Sequence, residues 1–223
     1  MTLSHTWDLN PAQARRLQEE LRGQVVHEDL LAGPAARVAG IDIGFEHSGA
    51  VTRAAAVVLS FPDLEVVDTA IARRATRFPY VPGLLSFREC PAALAALDGL
   101  TASADALVCD GQGLAHPRRF GLACHLGLLT GIPSIGVAKS RLIGVHDPVP
   151  DSKGAWVRLR DRGETIGAVL RSRKGVKPVF VSVGSGFTLA TAVQLAVDLT
   201  PRYRLPETTR QAHRLASGWR ALP

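Results

Sequence analysis

Apolar positions near the start of the chain recur at a helical interval: Leu17, Leu21 and Val25 are spaced four apart, downstream of Asn10, Pro11 and Gln13. An asparagine before a first-turn proline, with glutamine three residues on, is an N-cap with a capping box, so the pattern predicts an amphipathic helix over about 11–24. The period then changes. Three β-rich runs follow, Val38 to Phe45, Arg53 to Ser60 and Leu64 to Ala72, the last two joined through Phe61-Pro62-Asp63. Short links between extended runs predict an antiparallel meander. After a proline-rich break, Leu84 to Leu100 reads as helix, with Cys90-Pro91 expected to interrupt its first turn. Ala104 to Asp110 is an apolar run of the kind that forms a buried parallel strand, here ending in a carboxylate. Arg118 to Thr130 is helical by pattern and stops at Gly131 and Pro133, after which Ile135 to Ala138 makes a short fifth strand.

Three meander strands followed by two strands reached through helical crossovers make a mixed sheet with helices on both faces. This order predicts an α/β fold with a ribonuclease-H-like core over about 37–140. Ala155 to Leu159, Thr165 to Arg171 and Val179 to Val183 add strands, the first two turned at Asp161-Arg162-Gly163. Helices at Thr188 to Leu199 and Thr208 to Ser217 complete a segment of about 154–218, with Thr208 and Gln211 expected to box the start of the last helix. No repeat or long linker divides the 223 residues, so one domain over 1–223 is expected.

Charge adds a direction to this picture. Lys and Arg number 26 against 20 Asp and Glu, a net +6, which favours polyanionic partners such as nucleic acid. Arg158, Arg160, Arg162, Arg171, Arg173, Lys174 and Lys177 cluster on the predicted hairpin and the turn after it, where they can track a phosphate backbone or simply solvate a surface. Cys90, Cys109 and Cys124 lack C-x-x-C spacing and read as reduced, buried thiols. No signal-peptide pattern and no apolar run of membrane-spanning length is present, so a cytoplasmic, membrane-free protein is expected.

Candidate chemistry centres on carboxylates. Asp42 sits between Ile41 and Ile43 in a strand, so alternation turns it away from their face, and a carboxylate there is costly unless paired, hydrogen-bonded or metal-bound. Asp110 ends the second strand at Asp-Gly-Gln-Gly, either capping the next turn or standing where open α/β sheets place their sites. Neighbouring parallel strands would set the two side by side, and close carboxylates repel unless a cation lies between them; magnesium prefers such oxygen sites. Glu89, on the helix between those two strands, reads as a solvated surface residue or as a third acid at that point. Tyr80 lies in a loop stiffened by Pro79 and Pro82, as an exposed wedge or a ring folded into the turn. Lys139 at a strand end, His116 in a loop and His213 on the last helix are each open to a structural or a catalytic role.

In combination, Gly-Ile-Asp-Ile-Gly, Pro-Tyr-Val-Pro-Gly, Leu-Ser-Phe-Arg-Glu, Asp-Gly-Gln-Gly-x-x-His-Pro-Arg and Gly-Val-Ala-Lys-Ser closely resemble the endonuclease V family, in that family's order over residues 40–140. The resemblance implies a ribonuclease-H-like fold, dependence on Mg²⁺ with Mn²⁺ able to substitute, and hydrolysis of the second phosphodiester 3′ to a deoxyinosine. It implies Asp42, Asp110 and Glu89 as metal-site acids, Lys139 and His213 as auxiliary catalytic residues, and Tyr80 as the wedge. Gly83, Leu85, Gly111 and Leu142 would then lie around the extruded base, with Pro79, Pro82, Gly113 and His116 as further DNA- or lesion-binding residues. Val81 stands where the family more often has isoleucine. The expected partner is inosine-containing DNA, or RNA, acted on by a monomer without an organic cofactor.

Rival readings are a junction resolvase, against which the Pro-Tyr-Val-Pro-Gly loop speaks, and a sugar kinase of the actin-like fold, which needs a second phosphate loop and usually a longer chain. A non-catalytic nucleic-acid-binding module would keep the basic surface and the wedge without three acids.

Overall fold

The computed structural model describes residues 3–217; the ends of the expected 1–223 span, and residue 218 of the expected last segment, lie outside the described residues. Asn10 starts the first helix, α1 (Pro11–Leu21), as its sequence requires. Its side chain accepts from the N–H groups of Ala12 and Gln13, and the Gln13 side chain accepts from the Asn10 N–H. The meander consists of β1 (Arg37–Glu46), β2 (Val51–Ser60) and β3 (Val66–Ala75), after which α2 (Leu85–Asp98) crosses to β4 (Ala106–Cys109) and α3 (Leu122–Thr130) crosses to β5 (Ser134–Ala138). Then come β6 (Trp156–Asp161), β7 (Glu164–Leu170), β8 (Val179–Ser185), α4 (Leu189–Asp198) and α5 (Glu207–Ala216).

All eight strands join one sheet in the order β3-β2-β1-β4-β5-β8-β7-β6. β4 runs parallel to β1 and β5, and the other neighbours are antiparallel. The three later strands therefore extend the core sheet past β5. Alternation along the central strands divides the core: Ala39, Ile41, Leu107 and Cys109 pack with residues of α2 and α3, while Val38, Ala106 and Val108 pack with α4. The mixed sheet with helices on both faces is the predicted architecture.

Three local expectations fail, each for a tertiary reason. α2 runs unbroken through Pro91, because Cys90, Ala92, Ala93 and Ala96 bury a face against the sheet that outweighs the missing N–H. α3 begins at Leu122 rather than at Arg118. Arg119 takes a left-handed backbone (φ 56°) and its guanidinium pairs with Asp161 at 2.8 Å and Glu164 at 2.7 Å, holding the β6–β7 turn. That turn is made by Arg162 and Gly163, both with positive φ, as a two-residue hairpin demands. α5 begins at Glu207, so Thr208 lies inside the helix, fully buried with an unpartnered hydroxyl, and Gln211 bonds the Glu207 carboxylate instead of closing a capping box. Cys90, Cys109 and Cys124 are free and buried, as expected. Among the described residues no helix is long and apolar enough to cross a membrane.

Candidate active site

The register Ile41↔Cys109 between β1 and β4 places the next residues of both strands, Asp42 and Asp110, abreast at the carboxyl edge of the parallel pair. Asp42 faces α5, on the opposite side from Ile41, and His213 of that helix brings Nδ1 to 3.4 Å from Asp42 Oδ1. The approach is possible because Gly40, two residues earlier on the same face, has no side chain. A Cβ there would lie 2.3 Å from the Thr208 carbonyl carbon, so the helix backbone rests directly on the strand. On the other side, Lys139 follows β5 and its Nζ donates to Asp110 Oδ2. Arg204 holds the Lys139 carbonyl at 2.7 Å.

Electrostatics set the three acids apart. Burial, with Asp42 only 8% exposed, raises its pKa; His213 and Lys139 oppose that shift and Asp110 adds to it. Glu89 is pushed up to about 7, first by desolvation and then by the charge of Asp110. A carboxyl so raised favours the folded state while it is protonated. That contribution is complete below the ordinary value of 4.5 and is lost as pH rises through about 7. In metal-free protein Glu89→Gln is therefore expected to exceed the parent in stability by about 2 kcal/mol near pH 8, with no difference near pH 4. Denaturant unfolding in EDTA at both pH values measures this; equal stability near pH 8 contradicts it.

The donor set is entirely oxygen, which suits a hard cation. Among the described residues no three or more His, Cys, Asp or Glu side chains close around one point. An ion needing a complete protein cage is thus a poor match. Magnesium, which takes one or two carboxylates and completes its octahedron with water and phosphate, fits the Asp42–Asp110 pair, whose mutual repulsion a cation would relieve.

Beside the acids opens a cavity of about 400 Å³, within the range of small-ligand sites. Glu89, Asp110 and Lys139 stand on one side, with Tyr80, Pro82, Gly83, Leu85, Gly111, His116 and Leu142 around the rest. The loop over it is pinned at both ends. Phe78 and Leu84 are buried with Phe87, and the Gly83 carbonyl accepts from Gln18 Nε2 (3.1 Å), His116 Nε2 (3.0 Å) and Arg118 Nη2 (2.6 Å). Between those anchors Tyr80 is 69% exposed, so its ring is not folded into the turn.

Other predicted residues fall elsewhere. Gly113 is a packing position, since a Cβ on it would meet the Val183 carbonyl oxygen at 2.0 Å, and its N–H donates to Ser182 Oγ. Pro79 is exposed on the loop but does not line the cavity. His116 is buried. Its Nδ1 accepts from the Arg118 N–H, so Nε2 carries the proton given to Gly83, and burial lowers its pKa to about 4. It clamps the loop as a neutral ring. Of the basic cluster, Arg171 is drawn inward to Asp151 and to the carbonyls of Val149, Pro150 and Val176, whereas Arg158, Arg160, Arg162, Arg173, Lys174 and Lys177 are exposed.

Sequence reasoning missed Gln18 and Arg118, which reach Gly83 from 65 and 35 positions away, a distance at which no local pattern signals a contact. It also missed Ser86 and Gln112 in the cavity wall, the latter with its amide oxygen unpartnered. Both lie inside motifs already singled out.

Known proteins resemble this chain in sequence and fold. The family profile of Endonuclease V matches residues 19–214. A curated protein of Trichormus variabilis named Endonuclease V is 57% identical over 213 residues, which is 96% of either chain. The crystal structure of Endonuclease V from Streptomyces avermitilis superposes with a TM-score of 0.91 at 46% identity, covering 97% of this chain and 95% of that one. Ciona intestinalis Endonuclease V, crystallised with a 24mer DNA containing an inosine followed by a ribo-adenosine, superposes with a TM-score of 0.81 at 26% identity, covering 93% and 96%. With the family profile spanning most of its length and relatives this similar throughout, the chain belongs to the endonuclease V family.

Proposed function

We propose that this protein is a Mg²⁺-dependent endonuclease that hydrolyses the second phosphodiester 3′ to a deoxyinosine, leaving a 3′-hydroxyl and a 5′-phosphate. The observation that carries the reading is the placement of abreast Asp42 and Asp110 next to a cavity overhung by an anchored loop with an exposed tyrosine. The inosine-bearing DNA of the Ciona intestinalis structure supports the substrate class.

Asp42 and Asp110 hold the cation, with Glu89 beside them directly or through water. A magnesium ion held by these carboxylates, or manganese in its place, would supply neutralisation of the phosphate charge and activation of water. Glu89 turns its carboxylate toward the attacking water and places it. Lys139 offers Nζ to a phosphate oxygen from its place beside Asp110. His213 keeps Nδ1 on Asp42 and turns Nε2 toward the leaving 3′-oxygen, to which it gives the proton. Tyr80 fills the gap left by the extruded base, which lies among Gly83, Leu85, Gly111 and Leu142. The protein acts as a monomer of one domain.

The ribo-adenosine after the inosine in that same Ciona DNA favours a second reading, in which a ribose 2′-hydroxyl on the 3′ side is accepted and inosine RNA is also cut. A nicking assay on single and duplex strands of DNA and RNA, each with one inosine, in Mg²⁺ and then in EDTA, tests both. Nicking of inosine strands only, abolished by EDTA, is expected; nicking of unmodified strands at the same rate contradicts the lesion assignment. Tyr80→Ala is expected to weaken lesion binding roughly tenfold by loss of stacking, with unchanged thermal stability because the ring is exposed. Unaltered affinity in a binding titration removes the wedge role.

A further inference from the structure

A chain of three hydrogen bonds runs from the N-terminal segment to the cavity wall. His5 Nδ1 lies 2.7 Å from the Thr6 carbonyl oxygen, which can only accept, so Nδ1 carries a proton, and in the uncharged ring it is the only one. His5 Nε2 therefore presents a lone pair, and His125 Nε2, 2.7 Å away, must donate to it. His125 is wholly buried, and desolvation, reinforced by His5, pushes its pKa down to about 3. It stays neutral, with a lone pair on Nδ1. Ser86 Oγ, 3.0 Å from that nitrogen, spends its single hydrogen there. Only acceptor capacity is left on the Ser86 oxygen.

The rings are held in place as a packed group. His5 stacks on His125 with centroids 5.0 Å apart, and Trp7, Phe87 and Phe120 close around His125 at 5.5, 5.0 and 5.2 Å. Ser86 is the second residue of α2, between Leu85 and Phe87 and one turn before Glu89, and it lines the cavity. An acceptor of fixed direction in a purine site discriminates by the hydrogen on the ring nitrogen. Hypoxanthine carries N1–H, whereas adenine has a lone pair at N1 that would face the lone pair of Ser86.

We infer that Ser86 is a specificity-determining residue that accepts the ring N–H of the bound purine, with His125 and His5 as positioning residues that orient its hydroxyl. The inference rests on reading the cavity as the site of the extruded base.

The test is equilibrium binding, by fluorescence anisotropy in EDTA, of single strands carrying one deoxyinosine, one deoxyadenosine or one 2′-deoxynebularine, a purine without a hydrogen on N1. Ser86→Ala is expected to weaken deoxyinosine binding about tenfold while leaving deoxynebularine unchanged. His125→Phe frees the Ser86 hydrogen for the cavity, so the ratio should move toward deoxynebularine. His5→Ala, at the half-buried end of the chain, should move it the same way by a smaller, severalfold factor. Thermal melting identifies which variants are folded; if His125→Phe does not fold, the other two decide. Retention of the parent's deoxyinosine-to-deoxynebularine ratio in folded Ser86→Ala and His5→Ala overturns the inference. A parent protein that binds deoxyinosine no better than deoxyadenosine overturns the underlying site reading instead.

Discussion

Asp110→Asn is expected to slow single-turnover cleavage of an inosine strand by about a hundredfold to a thousandfold, with Asp42→Asn similar, while lesion binding in EDTA is retained. Each change keeps the shape of the side chain and removes its charge. At Asp110 it takes away the partner of Lys139 as well as half of the carboxylate pair. At Asp42 it takes away the acid that His213 faces. On the proposal that the two act on one cation, the double variant should fall little below the weaker single one. Calorimetric titration with Mg²⁺ should show binding lost in step with rate. Cleavage at the parent's rate in either variant, or cleavage that survives EDTA, removes the metal assignment. Folding should not suffer, since the asparagines relieve like-charge repulsion between the two neighbours and Asp42, the buried one, carries a desolvation penalty in its ionised form.

Gly40→Ala is expected to destabilise the protein by about 3 kcal/mol or more, the upper range for overpacking, and to lower Tm by roughly 6–12 °C for a chain of this size. The added methyl would lie 2.3 Å from the carbonyl carbon and 2.4 Å from the oxygen of Thr208. Those are backbone atoms inside α5 and cannot rotate aside. The helix must lift from β1, and His213 leaves Asp42 with it, so cleavage should fall together with stability. Gly33→Ala is the control, because a Cβ there meets nothing within 4 Å and its backbone needs no positive φ. Thermal unfolding of the pair decides the matter. Equal melting temperatures would mean that α5 does not rest on β1.

Much of the sheet was legible because its strands carry their own signals. The apolar runs that carry Asp42 and end at Asp110, with the short meander links, sufficed to order β1 to β5. Alternation between Ile41, Asp42 and Ile43 also fixed which face the first acid takes, since side chains along a strand cannot choose their side independently. Boundaries were less legible wherever a side chain is claimed from afar. Arg119, recruited by Asp161 and Glu164, delays α3, and the seating of Thr208 on Gly40 turns an expected cap into a buried helical residue.

The three carboxylates were legible as candidates, and the sequence by itself determined their strand and helix positions, the stiffness of the loop around Tyr80 and the order of motifs. Only the tertiary structure decided that Tyr80 projects into solvent, that His116 is a neutral clamp on Gly83, that Gly113 serves packing, and that Ser86 is wired through His125 to His5. The division has one physical cause. Backbone periodicity and proline geometry act over a few residues and are written locally, whereas hydrogen-bond direction, burial and pKa depend on atoms that the chain brings together only on folding.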